Sequence, residues 1–379
     1  MHMNDRLVRE NRLTVKKDGF RCYDILYSTR PGDLAEELRS LGLSSARAVL
    51  VTDSNVAPLY AETFREVLRD ASDSHELPPV YVLPAGEEHK NLDEIAALYR
   101  FLIENHCDRS SFLVALGGGV VGDMTGFAAA TYLRGIDFIQ IPTTLLAQAD
   151  SSIGGKTGVD CSGYKNMVGA FKMPRLVFAD VALLKTLDGR QFSSGFAEVM
   201  KHGLIKDQAY YLWLVDHLYE ILERDEETLS QMLYRSNEIK RDVVERDPYE
   251  KGERMLLNFG HTIGHAIEKY LDFQMTHGEC VALGCVAAAY LSWQRGLIPM
   301  EEYYEIRDMF VPFGLPITVT DIDPEEIVEL TKSDKKMRGG QIRFVLLNGI
   351  GDAFTDCTVR PEEILAAVKE IMWVEEENA

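Results

Sequence analysis

Residues 111–133, "SFLVALGGGVVGDMTGFAAATYL", decide how the first half of this chain is expected to fold. An apolar run, a glycine cluster and a small-residue segment follow one another, which predicts a buried strand, a tight turn and a helix. The turn at residues 117–123 fits G-x-G-x-x-G in the strand–helix context that dinucleotide binding requires. Such glycines let the backbone approach a pyrophosphate at the helix N-terminus, but close packing of strand on helix also selects glycine.

The segments on either side of this turn indicate two domains. Apolar runs such as "RAVLVTDS", "PPVYVL", "IDFIQIPTT" and "RLVFAD" alternate with helical segments, which predicts a mainly parallel sheet covered by helices. After about residue 189 the spacing is mostly helical, with one late strand-like stretch, "QIRFVLLNGIG". We therefore expect a Rossmann-like α/β nucleotide-binding domain at residues 1–189 and a mainly α-helical metal- and substrate-binding domain at residues 190–379. In such folds ligands bind outside the carboxyl ends of the parallel strands, so the active site is expected in the cleft between the domains.

Composition narrows the class of partner. The 379 residues contain 60 Asp and Glu against 40 Lys and Arg, and the net charge of −20 argues against nucleic acid and anionic membranes. Six scattered cysteines without a C-x-x-C motif are typical of reduced thiols in a cytosolic protein. The start "MHMNDRLVREN" is polar and unlike a signal peptide, and the longest apolar run, "CVALGCVAAAYL", is too short to span a bilayer and predicts a buried helix.

A histidine pair is the main chemical signal in the second half. In "LLNFGHTIGHAIEKY", residues 256–270, His261 and His265 would share one helix face, which also carries Asn258 and runs on to Glu268. Thr262 stands where the zinc motif H-E-x-x-H has glutamate. The spacing alone leaves three interpretations open: a metal site, an acid/base pair, or one of each.

Seven stretches in register resemble one family, the 3-dehydroquinate synthases, which are sugar phosphate cyclases of the shikimate pathway. The resemblance runs from about Asp53 to about Gly351. The stretches are "LGGGVVGDMTGFAAATYLRG", "IPTTLLAQADSSIGGKTGVD", "YKNMVGAF", "SGFAEVMKHGLI", "ERDPYEKGERMLLNFGHTIGHAIE", "HGECVALG" and "DKKMRGGQIRFVLL".

The resemblance implies a cytoplasmic homodimeric lyase of chorismate and aromatic amino acid biosynthesis that uses NAD and a divalent metal, usually zinc, with cobalt as an alternative. It implies conversion of 3-deoxy-D-arabino-heptulosonate 7-phosphate into 3-dehydroquinate and phosphate. The implied steps are transient oxidation by NAD, β-elimination of phosphate, re-reduction, ring opening and intramolecular aldol closure.

The same resemblance assigns the histidines one role each. The implied metal ligands are Glu198, His261 and His277, a two-histidine, one-carboxylate set of the kind that leaves positions open for substrate. His265 is implied as an acid/base group, with Glu250 as a second proton-transfer partner. The remaining implied catalytic positions are Lys156, Lys201 and Asp150.

Positive and polar side chains are needed for a substrate that carries both phosphate and carboxylate. The resemblance assigns Lys240 and Arg254 to the carboxylate, and Arg134 to the site of a partner subunit. It assigns to the phosphate side Lys156, Asn166, Asn258, His265 and one of Lys335 and Lys336. Lys165 and Lys201 complete the expected substrate-binding set.

Fourteen positions match the family's NAD site. Asp53 ends an early strand, where it is placed to bind ribose hydroxyls or, equally well, to cap a helix. The positions are Asp53, Asn55, Glu87, Lys90, Gly118, Gly119, Val120, Asp123, Thr143, Thr144, Asp150, Lys165, Thr186 and Gln191.

Three rival functions remain open at this point. Another sugar phosphate cyclase, such as an inosose or valiolone synthase, would take a substrate without the carboxylate and would not need Lys240 and Arg254. A metal-dependent glycerol-type or iron-dependent alcohol dehydrogenase would consume NAD. A non-catalytic NAD-binding regulator would not need the metal triad.

Overall fold

The computed structural model describes residues 11–337 and 343–373 and, within them, all side chains except those of residues 333–337. Lys335 and Lys336 therefore lie outside the described side chains. Among the described helices, none combines the length and the apolar character that crossing a membrane would require.

The chain divides into two units. The first runs to Leu187 and also takes in Leu229–Tyr234, and the second takes in Asp188–Thr228 and the chain from Arg235 onward. The boundary predicted between residues 189 and 190 lies beside the end of the first unit. It stays a prediction that the first unit binds the nucleotide and the second binds the metal and substrate.

Among its described residues, the first unit forms a seven-stranded sheet and a two-stranded hairpin. The predicted strands are confirmed, and the sheet order is β1-β2-β9-β6-β5-β3-β4, in which every neighbouring pair except β1 and β2 is parallel. The hairpin pairs β7 with β8. The strands are β1 (Arg12–Lys17), β2 (Phe20–Tyr27), β3 (Ala48–Asp53), β4 (Val80–Leu83), β5 (Phe112–Gly117), β6 (Asp137–Pro142), β7 (Lys156–Cys161), β8 (Tyr164–Phe171) and β9 (Leu176–Ala179).

Both faces of this sheet are buried. Along β5, Phe112, Val114 and Leu116 pack into one hydrophobic cluster, while Leu113 and Ala115 pack into the other. This alternation follows from the two-residue period of a strand, and it explains why β5 is a continuous apolar run. The covering helices are α1 (Pro31–Ser40), α2 (Glu62–Ala71), α3 (Leu92–Glu104) and α4 (Gly119–Thr131).

The glycine turn joins β5 to α4. A Cβ atom on Gly117 would lie 2.6 Å from Cγ2 of Val121, and one on Gly122 would lie 2.7 Å from Oε1 of Gln140. A real Cβ needs more room, so a larger residue at Gly117 would displace Val121, whereas one at Gly122 would require only the end of the Gln140 side chain to move. Close packing therefore accounts for Gly117, and phosphate binding stays an expectation for the other glycines.

The second unit is mainly helical, as predicted, and the late strand-like stretch contains β10 (Phe344–Gly349). This strand pairs with β11 (Asp352–Asp356), which follows the predicted stretch. The predicted buried apolar helix is α10, in which the run from Cys280 to Leu291 is buried except for the partly buried Tyr290. The helices are α5 (Gly189–Lys206), α6 (Gln208–Asp216), α7 (Leu218–Leu222), α8 (Glu226–Arg246), α9 (His261–Tyr270), α10 (His277–Gln294), α11 (Met300–Asp308), α12 (Pro324–Met337) and α13 (Pro361–Glu370).

The helix that carries the histidine pair begins later than predicted. Glu253–Asn258 forms a separate 3-10 segment, and Gly260 takes a left-handed φ of 79° immediately before α9. A Cβ at Gly260 would lie 2.6 Å from Sγ of Cys285 on α10, so only glycine lets the backbone pass there. The expectation that Asn258 extends the histidine face of the helix is therefore wrong.

Candidate metal centre and active site

Three side chains from three helices of the second unit converge on one point. Nε2 of His261 lies 3.3 Å from Oε1 of Glu198, and Nε2 of His277 lies 3.2 Å from the same oxygen. One ligand atom from each residue lies within 4.8 Å of the others. Two imidazoles and a carboxylate at this spacing fit a divalent cation such as zinc, which prefers nitrogen and oxygen donors at about 2 Å.

Backbone structure orients the first of these rings. Nδ1 of His261 lies 3.1 Å from the carbonyl oxygen of Phe259, which only accepts hydrogen bonds. Nδ1 must therefore carry a proton and donate it, which leaves Nε2 directed toward Glu198. His261 and His277 are each the first residue of a helix.

Charge around Glu198 keeps its carboxylate ionised. Burial alone would raise the pKa of Glu198, but Lys201, His261 and His277 outweigh it and hold that pKa well below its usual range. Burial alone would lower the pKa of His277, but its contacts with Glu198 and Glu268 outweigh burial and raise this pKa to about 9. A cation binding there would therefore compete with a proton on His277.

His265 is placed differently from His261. It lies one turn further along α9, is exposed, and has its ring centroid 5.0 Å from that of His261 at nearly a right angle. Its ligand atoms group with Glu268 and His277 rather than with Glu198. The i, i+4 spacing thus brings both rings to one helix face, but only the first meets the buried carboxylate.

Glu268 is the residue that the sequence interpretation placed on the histidine face without assigning it a role. It is almost fully buried, and its Oε1 lies 3.9 Å from Nδ1 of His277. A carboxylate behind a metal-binding imidazole is a common way to orient the ring. The sequence did contain a signal for this residue. Glu268 follows His261 by seven positions and His265 by three, and both spacings place it on the same helix face.

The predicted carboxylate-binding cations are buried rather than solvated. Lys240 is 4% exposed and Arg254 is 2% exposed. Nη1 of Arg254 donates to the carbonyl oxygen of Pro248 at 2.7 Å, and its backbone N–H donates to Asp247 at 3.1 Å. Burying a cation costs free energy. Because this chain encloses both cations although it has an excess of acidic residues, their burial indicates that the positive charge has a function.

Three predicted site residues have left-handed backbone. Positive φ values of 72°, 52° and 56° occur at Arg134, Asn166 and Glu250. Oε1 of Glu250 accepts a hydrogen bond of 2.7 Å from Nδ2 of Asn258, which joins two positions that the resemblance implies are functional. Non-glycine residues in this region are uncommon, and such strain concentrates at functional sites.

In the first unit, predicted cofactor and substrate positions meet at Lys90. This buried ammonium donates to Oδ2 of Asp123 and to Oδ1 of Asn166, each at 2.7 Å, and lies 3.8 Å from Oε1 of Glu87. Burial lowers the pKa of Lys90, but Asp123 and Glu87 outweigh it and raise the pKa. Lys165 lies 3.8 Å from the same Glu87 oxygen. Local spacing did not indicate that these positions meet, because they come from three separate segments of the chain: the turn at residues 87–90, α4 and β8.

Other predicted positions are engaged locally. Oδ1 of Asp53 accepts from the backbone N–H groups of Asn55 and Val56 at 2.8 and 2.9 Å and so closes a turn after β3. Asp53 is not the N-cap of the following helical segment, and its binding of ribose hydroxyls stays a prediction. Oγ1 of Thr144 accepts from the N–H of Ala147 at 3.1 Å. Among the remaining positions, Arg134, Lys156 and Gln191 are exposed and Thr143 is buried. The positions that are partly buried are Gly118, Gly119, Val120 and Asp150. Thr186 donates a hydrogen bond to the carbonyl oxygen of Leu183.

Comparison with known proteins finds consecutive matches along the chain. The family model described as 3-dehydroquinate synthase N-terminal matches residues 80–194, and that described as 3-dehydroquinate synthase C-terminal matches residues 195–337. A 3-dehydroquinate synthase of Nitrosospira multiformis is 46% identical over 86% of this chain and 88% of its own. One of Acetivibrio thermocellus is 44% identical over 92% of this chain and 96% of its own.

Solved structures confirm the expected fold class. A 2-epi-5-epi-valiolone synthase from Streptomyces hygroscopicus subsp. jinggangensis, with NAD+ and Zn2+ bound, matches with a TM-score of 0.84 and 28% identity over 92% of this chain and 96% of that one. A 2-deoxy-scyllo-inosose synthase complexed with carbaglucose-6-phosphate, NAD+ and Co2+ matches with a TM-score of 0.82 and 28% identity, over 95% and 99%. An iron containing alcohol dehydrogenase, at 16% identity and a TM-score of 0.63 over 92% and 97%, shares the fold alone.

Proposed function

Because the chain belongs to the 3-dehydroquinate synthase family, we propose that it converts 3-deoxy-D-arabino-heptulosonate 7-phosphate into 3-dehydroquinate and phosphate, with NAD and a divalent metal as cofactors. The observation that carries the proposal is the convergence of Glu198, His261 and His277. The curated relatives that carry this name support the choice of reaction.

The cofactors fit the residues present. A divalent cation held by Glu198, His261 and His277, zinc or alternatively cobalt, would supply Lewis acidity toward a substrate hydroxyl. Bound NAD would supply a hydride acceptor that is restored within each turnover, with no net oxidation of the substrate. The bound NAD and metal in the two cyclase structures support this pair of cofactors.

The protein's own side chains would bind the substrate and move its protons. Lys240 and Arg254 would hold the carboxylate, and Lys156, Asn166, Asn258 and His265 would hold the phosphate. His265 and Glu250 would transfer protons during elimination and ring closure. The 2.7 Å hydrogen bond from Nδ2 of Asn258 to Oε1 of Glu250 supports placing Glu250 beside a phosphate-binding side chain. Lys201 would keep the metal-binding carboxylate anionic.

The NAD-binding positions proposed for the first unit are those that the family pattern marks around β3, β5 and α4. The Lys90 cluster supports this assignment because it joins Asp123, Glu87 and Asn166 through one buried ammonium. We further propose a cytoplasmic homodimer in which Arg134 serves the partner's site. The exposed, left-handed backbone at Arg134 supports a projecting role.

Phosphate release measured with and without NAD and metal tests the function. We expect release only when both are present, with absorbance at the reduced-nicotinamide band unchanged in bulk. Accumulation of NADH in proportion to product would identify a dehydrogenase instead. Equal or faster turnover of a sugar phosphate that lacks the carboxylate would identify another sugar phosphate cyclase, the class of the two solved structures.

A further inference from the structure

An ion pair outside the metal triad joins the start of α5 to the start of α10. Nε of Arg190 donates to Oε1 of Glu279 and Nη2 donates to Oε2, both at 2.7 Å. Nη2 also donates to the carbonyl oxygen of Gln274 at 3.3 Å. This two-pronged geometry restricts both the distance and the angle between the helix ends, which a single contact would not do.

Glu279 is at the same time part of the cap of α10. Its Oε2 accepts from the backbone N–H of Thr276 at 2.7 Å, while Oγ1 of Thr276 accepts from the N–H of Glu279 at 3.4 Å. This capping box encloses His277, the first residue of the helix. A change in the position of the Glu279 carboxylate should therefore also change the backbone position of the helix turn that carries His277.

A second contact brings the same two helices close together at one point, around which the ends can still tilt. The N–H of Gly278 donates to Oγ of Ser194 at 2.9 Å, and a Cβ on Gly278 would lie 2.0 Å from the carbonyl oxygen of Ser194. Ser194 precedes Glu198 by one turn of α5. The segments that carry Glu198 and His277 are thus held together by contacts that involve neither ligand atom.

We propose that the Arg190–Glu279 pair positions His277 against Glu198 and thereby sets the affinity of the centre for its metal, an inference that rests on the metal-dependent function proposed above. Neither residue contributes to the triad itself. Residues that hydrogen-bond a metal ligand change metal affinity by about 10–100-fold when they are replaced, and we expect the same range where the restraint acts on the helix turn that carries the ligand.

The chain offers a matched control at the other end of α10. Nε and Nη2 of Arg295 donate to Oε1 and Oε2 of Glu363 at 2.8 and 2.9 Å, which is the same two-pronged geometry. This pair joins the end of α10 to α13, away from the first turn that carries His277. Arg295 is less exposed than Arg190 (20% against 56%) and also donates to Asp356 at 3.0 Å. Replacing it therefore removes at least as much interaction without releasing the metal-binding segment.

The test compares Arg190→Gln and Glu279→Gln with Arg295→Gln and Glu363→Gln. Zinc affinity is measured by competition with a chelating dye, and the cobalt-substituted proteins are compared by their visible absorption spectra. We expect the first two variants to bind zinc about 10–100-fold more weakly, with altered cobalt spectra, and the two control variants to match the wild type within about twofold. The loss in the double variant Arg190→Gln/Glu279→Gln should be smaller than the two single losses combined, because each single variant already removes the shared ion pair.

The sign of the Arg190→Gln effect separates positioning from simple electrostatics. Removing a positive charge near a cation site would tighten metal binding if charge alone mattered, whereas loss of positioning weakens it. Tighter or unchanged binding in Arg190→Gln, or equal weakening in all four variants, would overturn the proposal. Failure of the wild type itself to bind zinc or cobalt would instead overturn the proposed function.

Discussion

Lys201 lies one turn after Glu198 on α5, and its ammonium group contacts the Glu198 carboxylate where both side chains are almost fully buried. Oε2 of Glu198 faces this lysine, while Oε1 faces His261 and His277. The carboxylate is therefore held as an anion from one side and presented to the two imidazoles from the other. Metal binding does not have to ionise it first.

Replacing Lys201 by Met should destabilise the metal-free protein. Removing one partner of a buried ion pair leaves an uncompensated charge and costs about 3–5 kcal/mol of unfolding free energy. Urea unfolding of metal-free protein measures the loss, and added zinc should recover part of it, since the metal supplies the missing positive charge.

Lys206→Met is the control on the same helix. Lys206 pairs with Glu253 at 2.5 Å, where each side chain is about a quarter exposed (27% and 26%). Partly exposed pairs contribute about 0–1 kcal/mol, so this variant should unfold nearly as the wild type does. Equal losses in both variants would show that the buried Glu198–Lys201 pair has no special role.

The two histidines of α9 should separate metal binding from catalysis. His261→Ala should lose zinc after dialysis, because Nε2 of His261 is directed at Oε1 of Glu198 from 3.3 Å. His265→Ala should keep its zinc while phosphate release slows by about 10²–10⁴-fold, the usual contribution of a proton-transfer group. If both variants lost metal equally, the roles assigned to the pair would be wrong.

Arg254→Ala should impair use of the carboxylate-bearing substrate. Loss of one partner of a charged contact in an enclosed site costs about 2–5 kcal/mol, and each 1.4 kcal/mol corresponds to about a tenfold loss in kcat/KM. Binding of NAD and of zinc, measured by titration, should stay unchanged, and a substrate analogue without the carboxylate should be bound equally by variant and wild type. Because Arg254 also donates to Pro248, a loss that extends equally to the analogue would indicate a structural role.

Glu363 should give a pH-dependent contribution to stability. Hydrogen bonds from Arg295 lower its pKa to about 2, below the value of about 4.3 expected in the unfolded chain. The folded state therefore binds fewer protons between these values, so the stabilisation is complete above about pH 4.3 and is lost as the pH falls toward 2.

The corresponding variant is Glu363→Gln. At pH 7 it should unfold at lower urea concentration than the wild type, by about 1–2 kcal/mol, since the Glu363 side chain is 22% exposed to solvent. The difference should be constant from pH 7 to 5 and smaller at pH 3.5. A difference that did not change with pH would show that the Arg295 contact does not depend on the ionised carboxylate.

Local spacing was enough to predict the sheet and the histidine pair. The apolar run at residues 112–116 predicts a strand buried on both faces, and the i, i+4 spacing of His261 and His265 predicts one helix face. Both rest on the fixed periods of strand and helix, which a sequence displays directly. The family resemblance extended this to a metal triad, because it associates positions that lie far apart in the chain.

Only the tertiary structure decided how separate helices meet. The start of α9 at His261 depends on Gly260 passing against Cys285, and so the predicted extension of the helix to Asn258 failed. The Arg190–Glu279 pair likewise arises because α10 packs on α5 with no space at Gly278. The physical reason is that helical periodicity specifies which residues share a face. The partner of that face is chosen by backbone-to-backbone packing between segments remote in sequence, which no local pattern records.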